Sequence, residues 1–366
     1  MNEKERLILK LIQDDPFITQ NELAEKLNLS RPAVANYISS LMKRGEIIGR
    51  AYVLREQESV VCIGGANVDR KIMLKGPLQF NTSNPVTTYK AVGGVARNIA
   101  ENLGRLGVKT TLLTAIGDDV DGKWLVENSK QWMDLSFSIT YPSANTGNYM
   151  AVLDENGEMQ IGFADMDICD LVEFSQIEDR WNVIKSANYV LTDLNFPAET
   201  IAGIIRKCYQ DEIPLIITPV SIPKIHKLPD NLAGVYLLIA NKGELMEAAG
   251  LEETAAVEEA VERLFARGVD NLVVTEGSKG LHYFTKDGES GHLEANKVKV
   301  IDVTGAGDSL TAGVIYGLLK KLTLEEACHY GQVCSAITIQ SEHTVSPHMN
   351  RKHVEELYRT LRQVIR

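Results

Sequence analysis

The residues best suited to chemistry in this sequence are three small ones, Gly305, Ala306 and Gly307, and the carboxylate of Asp308. They directly precede the helix-forming run 309–319. Small residues ahead of a helix leave backbone N–H groups uncovered, and these donors, with the positive end of the helix dipole, would bind a developing phosphate charge. A carboxylate there would take a proton from an adjacent alcohol, so the pattern predicts phosphoryl transfer to a hydroxyl. The alternative is an ordinary turn whose aspartate caps the helix.

Four further motifs occur where a phosphotransferase would need ligand contacts. Asp69 follows a strand and two glycines, and it would hold a pair of sugar hydroxyls, while Asn98 at a helix start would hydrogen-bond another. Glu244 comes after the strand 235–240, at the sheet edge where ligands of α/β proteins bind, and it would hold the water shell of Mg²⁺. The glycine-containing stretch 275–280 would give flexible backbone beside a nucleotide.

Strands alternate with helices from residue 59 onward. This alternation predicts an α/β fold with a doubly wound, mostly parallel sheet, in a domain over residues 57–366. Two interruptions, at about 69–91 and 146–163, have the pattern of antiparallel strands. Such strands protruding from a parallel core would form a small β lid over a pocket.

Residues 1–56 have a different pattern, with three short amphipathic helices followed by a two-stranded wing over 46–54. This order resembles the winged helix-turn-helix of bacterial regulators, whose third helix enters the DNA major groove. A protein-interaction or dimerisation module is the alternative. The outward residues of the third helix would contact bases and phosphates: Arg31, Asn36, Tyr37, Ser40 and Lys43.

The order and spacing of the motifs after residue 59 resemble the ribokinase-like (PfkB) family of carbohydrate and nucleoside kinases, to about residue 345. The resemblance implies that Asp308 is the catalytic base, that the amides of 305–307 form an anion hole, and that ATP and Mg²⁺ are required. It implies these further roles: Asp69, Gly94 and Asn98 for the acceptor; Asn241 and Glu244 for Mg²⁺ and phosphates; Thr275, Gly277 and Gly280 for ATP; Asp302 for an activating K⁺.

The stretches 83–85, 93–98, 145–149, 165–168 and 192–195 also resemble those of the bacterial pseudouridine kinases, some of whose relatives carry an N-terminal helix-turn-helix. On this resemblance the 5′-hydroxyl of a ribosyl-uracil is phosphorylated. The residues around it would be Asp69, Asn84, Arg97, Asn98, Thr146 and Asp167. Two departures are Thr218, where these kinases usually have Asp, and Ile239-Ala240, where they usually have Lys-Pro. The open alternatives are another acceptor such as inosine or ribose, and a ligand-sensing transcriptional regulator with weak or no catalysis.

Composition narrows the class of protein. The chain has 366 residues, 44% of them hydrophobic, and a net charge of −11, which argues against a nucleic-acid surface along its whole length. Five scattered cysteines without a C-x-x-C pair predict buried, reduced thiols. No apolar run has the roughly 20 residues of a membrane span, and the charged N-terminus is not a signal peptide. We therefore expect a cytoplasmic protein without membrane partners, which forms a homodimer.

Overall fold

The computed structural model describes residues 1–16, 18–48 and 58–365. The N-terminal body contains α1 (Glu3–Asp14), α2 (Gln20–Leu27) and α3 (Arg31–Lys43). Thr19 and Glu22 form the predicted capping box at α2, and the Ser30 hydroxyl caps α3. The three helices enclose their own small core of Ile, Leu and Val side chains. Residues 49–54 of the predicted wing lie outside the described residues.

The rest of the described chain forms a larger α/β body. Its helices are α4 (Val95–Arg105), α5 (Val120–Ser129), α6 (Phe174–Glu178), α7 (Trp181–Ile184), α8 (Ala198–Gln210), α9 (Lys242–Ala249), α10 (Val257–Ala266), α11 (Ala306–Leu319), α12 (Leu324–Thr338) and α13 (Arg351–Ile365). Its strands are β1 (Ser59–Ile63), β2 (Asn67–Leu74), β3 (Val86–Gly93), β4 (Lys109–Leu113), β5 (Ala115–Gly117), β6 (Ile139–Tyr141), β7 (Asn148–Leu153), β8 (Met159–Asp165), β9 (Tyr189–Asp193), β10 (Leu215–Thr218), β11 (Val235–Asn241), β12 (Asn271–Thr275), β13 (Leu281–Thr285) and β14 (Ser290–Leu293).

The central sheet has eight strands in the order β14-β13-β12-β11-β10-β9-β1-β4. All neighbours from β4 to β12 are parallel, and β13 and β14 add an antiparallel edge. Helices cover both faces, which is why the strands are short continuous apolar runs. The parallel strands bring their carboxyl ends to one edge, where five of them finish at Ile63, Asp193, Thr218, Asn241 and Thr275.

A separate four-stranded sheet has the order β3-β2-β7-β8 and corresponds to the predicted lid segments. The pairs β2–β3 and β7–β8 are antiparallel, as expected. The middle pair β2–β7 is parallel, which the local pattern did not predict. A parallel pair needs a long crossover, and the chain from β3 through α4 and α5 provides one.

Two further expectations concern the cysteines and membrane-spanning helices. All five cysteines are buried and unpaired in disulfides, which agrees with the predicted reduced thiols. Among the described residues, no helix combines the length and apolar character that crossing a membrane requires.

Candidate active site

The turn before α11 is shaped by one glycine. Gly305 is the N-cap residue with φ of +78°, and a Cβ there would overlap the carbonyl oxygen of Thr344. The Ala306 N–H donates to the Val303 carbonyl at 3.2 Å, so this amide is already engaged. Of the predicted anion hole, the amides of Gly305 and Gly307 are therefore the better donors for an incoming charge, together with that of Asp308 in the first turn.

Asp308 has the properties of a general base. Its side chain is half-buried, and its Oδ2 accepts a hydrogen bond of 2.9 Å from Asn98 Nδ2. Burial raises the pKa of Asp308 to about 7, with smaller contributions from the charges of Asp193 and Asp69, against the opposing effects of Asn98 and Arg97. A carboxyl group with a pKa near the working pH suits proton transfer.

Asn98 and Arg97 are neighbours on α4 but play different parts. Arg97 is 1% exposed, and it donates to Asn98 Oδ1 at 3.1 Å and to Ser129 Oγ at 3.2 Å, and pairs with Glu101. These hydrogen bonds of Arg97 go to protein groups, and its predicted contact with the acceptor stays a prediction. Asn98 is the member of the pair that donates a hydrogen bond to Asp308.

The charge of Asp69 contributes to the raised pKa of Asp308. Asp69 Oδ1 accepts from Asn67 Nδ2 at 2.5 Å, and burial raises the pKa of Asp69 as well. A Cβ on Gly93 would overlap the Asp69 carboxylate, and a Cβ on Gly94, at φ +100°, would overlap the Gly65 carbonyl oxygen. The glycine pair therefore lets α4 start close to the lid strand and brings Asp69 and Asn98 to the same site as Asp308.

Asp193 was missed as a site residue by the sequence reasoning. This fully buried carboxylate at the end of β9 accepts hydrogen bonds of 2.9 Å from the N–H of Gly65, 3.0 Å from Ala96 and 2.9 Å from Asn195. A Cβ on Gly64 would overlap it. Asp193 thus fixes the turn after β1 against the start of α4. A carboxylate at the carboxyl end of a parallel strand was the available signal.

Thr146 is held by protein groups. Its N–H and Oγ1 donate to Asp119 at 2.7 and 2.8 Å, and its Oγ1 accepts from the Gly117 N–H at 3.0 Å. Thr146 therefore fixes the loop before α5, and its predicted contact with the acceptor stays a prediction.

Asn84 lies in the loop between β2 and β3, and Asp167 follows β8. The Asn84 side chain accepts from the Gln79 N–H at 2.8 Å and donates to the Gln79 carbonyl at 2.7 Å, which folds the loop between β2 and β3. Asp167 is exposed at the start of a short 3₁₀ turn, residues Asp167–Leu171. Their predicted contacts with an acceptor stay predictions.

Asn241 and Glu244 form a complete capping box at α9. The Asn241 N–H donates to Glu244 Oε2 at 2.9 Å, and the Glu244 N–H donates to Asn241 Oδ1 at 2.9 Å. Burial raises the pKa of Glu244. The cap uses one of the two carboxylate oxygens of Glu244. The other oxygen is the one that could hold the water shell of Mg²⁺, so Glu244 fits this role through that oxygen alone.

The nucleotide side of the predicted site is a tight glycine turn after Thr275. The Glu276 N–H donates to the Gly280 carbonyl at 2.9 Å, and a Cβ on Gly280, at φ +98°, would overlap the Leu293 carbonyl oxygen. A Cβ added to Gly277, at φ +58°, would have no contact within 4 Å, so the space beside this residue is open. An open backbone position beside the strand ends fits the expected approach of a nucleotide.

Asp302 connects the turn before α11 with the lid sheet. Its Oδ1 accepts from the N–H and Oγ1 of Thr304 at 2.8 and 2.7 Å, and its Oδ2 lies 3.4 Å from Lys71 Nζ on β2. Both carboxylate oxygens are thus engaged by protein donors. The predicted K⁺ role of Asp302 stays a prediction.

The predicted DNA-contacting residues on α3 are not equally accessible. Arg31, Asn36 and Lys43 are exposed, as expected. Ser40 is half-buried, and Tyr37 packs against the small helical core. The accessible face of α3 is therefore narrower than the sequence indicated.

Known protein families match both the N-terminal body and the α/β body. The family model described as pfkB family carbohydrate kinase matches residues 57–351, and one described as winged helix-turn-helix DNA-binding matches residues 1–47. The chain is 31% identical over 341 residues to the uncharacterized sugar kinase YeiI of Escherichia coli (strain K12), covering 92% of this chain and 94% of that protein. It is 31% identical over 307 residues to the pseudouridine kinase of the same organism, covering 83% and 97%. A carbohydrate kinase from Agrobacterium tumefaciens has a TM-score of 0.74 at 28% identity, covering 82% and 97%.

Proposed function

Because the chain belongs to the pfkB family of carbohydrate kinases and carries an N-terminal winged helix-turn-helix, we propose that it is an ATP-dependent nucleoside kinase that phosphorylates the 5′-hydroxyl of pseudouridine. The observation that carries the proposal is the Asn98–Asp308 hydrogen bond at the start of α11. It places a base of raised pKa directly beside uncovered helix N–H groups. The likeness to the pseudouridine kinase of Escherichia coli supports the choice of acceptor.

In the proposed mechanism Asp308 removes the proton of the acceptor hydroxyl as that oxygen forms its bond to the γ-phosphorus. The bond between the γ-phosphorus and the bridging oxygen breaks, and ADP leaves. The N–H groups of Gly305 and Gly307 hold the charge that develops on the transferring group. Asp69 and Asn98 orient the ribose hydroxyls. ATP with Mg²⁺ supplies the phosphoryl group and neutralises part of its charge, with Glu244 as the residue that would hold the hydrated metal.

We also propose roles for the remaining residues of the site. Thr275, Gly277 and Gly280 would line the ATP site, an activating K⁺ would bind near Asp302, and the protein would act as a homodimer. Domain boundaries at residue 57 and a lid formed by the sheet β3-β2-β7-β8 complete the proposed organisation.

The test is ADP release with ATP, Mg²⁺ and K⁺ against pseudouridine, uridine, inosine, cytidine, ribose and fructose. Turnover with pseudouridine supports the full proposal, and turnover with only another acceptor keeps the chemistry and replaces the substrate. Silence with every acceptor contradicts the kinase proposal. Thr218→Asp is then the first variant to assay, because buried Thr218 lies beside Asp193 at the sheet edge and occupies a position where similar kinases have a carboxylate.

A second function, ligand-dependent DNA binding, is favoured by the exposed Arg31, Asn36 and Lys43 on α3. It is compatible with catalysis. Binding of the full chain to the DNA upstream of its own gene, with and without each nucleoside, tests it. Loss or gain of the footprint on adding a nucleoside would support a regulator, and no specific footprint under either condition would contradict it.

A further inference from the structure

We infer that Arg97 is a positioning residue for the base. Its guanidinium fixes the orientation of the Asn98 side-chain amide, and through that amide it favours the carboxylate form of Asp308 over the protonated form. The catalytic consequence rests on the proposed kinase function, whereas the orientation itself does not.

The chemistry of the three groups allows only one arrangement when Asp308 is ionised. Asn98 Oδ1 accepts from Arg97 Nη1 at 3.1 Å, and Asn98 Nδ2 donates to Asp308 Oδ2 at 2.9 Å. A guanidinium only donates and an ionised carboxylate only accepts, so the amide oxygen must face Arg97 and the amide nitrogen must face Asp308. A protonated Asp308 could instead donate to a turned amide, but the amide N–H groups would then face the guanidinium. Arg97 therefore disfavours the arrangement that would suit the protonated acid.

Arg97 is itself held firmly. Its Nε donates to Ser129 Oγ at 3.2 Å, and its Nη2 pairs with Glu101. Glu101 is also 2.7 Å from Arg105, whose guanidinium lies 4.2 Å from the centre of the Trp132 ring. A buried charge with this many fixed partners presents its N–H groups in a set direction, which is what orienting an amide requires.

The other groups that act on Asp308 favour either its protonated form or its carboxylate form. Asp193 on β9 and Asp69 on β2 both act to keep Asp308 protonated, as does its burial. Asn98 and Arg97, from α4, act in the other direction. Arg97 is the cation of this set, so its removal takes away both a favourable charge and the constraint on the amide.

The test compares Arg97→Met with Arg105→Met in the full chain. Each variant removes one of the two guanidinium partners of Glu101, but only the first touches Asn98. The readout is a ¹³C NMR titration of aspartate labelled at Cγ, with the Asp308 signal assigned by its loss in Asp308→Asn. We expect the Asp308 titration midpoint to rise by about one pH unit in Arg97→Met and by no more than a few tenths in Arg105→Met. The acidic limb of the kcat profile should move by the same amount.

Equal midpoints in the two variants, or no change in Arg97→Met, would overturn the inference. If Arg97→Met does not fold, Arg97→Met/Glu101→Gln removes the carboxylate that would be left short of a partner, and the same titration applies. The experiment distinguishes failure of the proposed kinase function from failure of the proposed role of Arg97. A shifted midpoint in a chain that phosphorylates no acceptor removes the kinase function and keeps the role of Arg97. Robust turnover with an unshifted midpoint does the reverse.

Discussion

At the scale of single residues, the proposed chemistry depends on one carboxylate. We expect Asp308→Asn to lower kcat by ~10²–10⁴, the range for loss of one positioned base, while the far-ultraviolet circular dichroism spectrum stays the same. The amide can still accept from Asn98 Nδ2, so the local packing has no reason to change. Steady-state kinetics with a wild-type comparison checks this, and near-wild-type turnover would remove Asp308 from the mechanism.

The raised pKa of Asp308 predicts the pH dependence of two properties. The base acts as the carboxylate, so kcat should fall as pH decreases through about 7. For stability the sign is opposite. An acid whose pKa is higher in the folded state than in the unfolded chain stabilises the fold at low pH, and this contribution is lost as pH rises through about 7.

Thermal unfolding of wild type and Asp308→Asn at pH 4 and pH 8 tests the stability part. We expect the variant to be more stable by about 1–2 kcal/mol at pH 8 and indistinguishable at pH 4, after allowance for the partial solvent exposure of the side chain. A variant that is less stable at pH 8 would contradict a raised pKa.

At the scale of elements, the start of α11 offers a matched pair of glycines. Gly305→Ala places a Cβ against the Thr344 carbonyl at a positive φ, so we expect a loss of about 2–4 kcal/mol in the free energy of unfolding. Gly307→Ala meets no atom within 4 Å and lies in the helix, so its unfolding free energy should stay within about 0.5 kcal/mol of wild type or rise. Urea denaturation measures both, and equal effects would refute the geometry of this turn.

The capping box of α9 allows its structural and metal-binding roles to be separated. Asn241→Ala should cost about 1 kcal/mol of stability because the Glu244 N–H loses its acceptor. Glu244→Gln keeps an acceptor for the Asn241 N–H, so stability should change little. If Glu244 also holds hydrated Mg²⁺, this second variant should raise the Mg²⁺ concentration for half-maximal activity several-fold. An unchanged Mg²⁺ dependence would leave Glu244 with the cap alone.

At the scale of the whole molecule, we expect the N-terminal body to bind DNA and the α/β body to carry the kinase activity. Arg31→Ala on α3 should weaken specific DNA binding by roughly 1–3 kcal/mol and leave kinase turnover unchanged. Lys10→Ala, an exposed cation on α1, is the control for general charge loss. Fluorescence anisotropy with the upstream DNA measures binding. Equal losses in both variants would indicate non-specific attraction instead of recognition by α3.

Much of this organisation could be read from the sequence, because it is encoded locally. The alternation of strands and helices predicted the α/β class, and the capping signals at Thr19 and Ser30 fixed the helices of the N-terminal body. The turn at Gly305 and the position of Asp308 in the first turn of α11 also follow from adjacent residue types. In each case the cause lies within a few residues, so the pattern is sufficient.

Tertiary structure decided what the remaining polar side chains do. Arg97 is buried against Ser129 and Glu101 and donates to Asn98, partners that the sequence did not predict, and its expected contact with the acceptor stays a prediction. Asp193 is a partner of Gly65 and Ala96 across large sequence separations, which no local pattern encodes. Hydrogen-bond partners of a buried group depend on which elements pack around it. The sequence by itself thus determined the elements and the position of Asp308 in the first turn of α11, and the packing of α4 against β9 and α11 determined which groups surround that carboxylate.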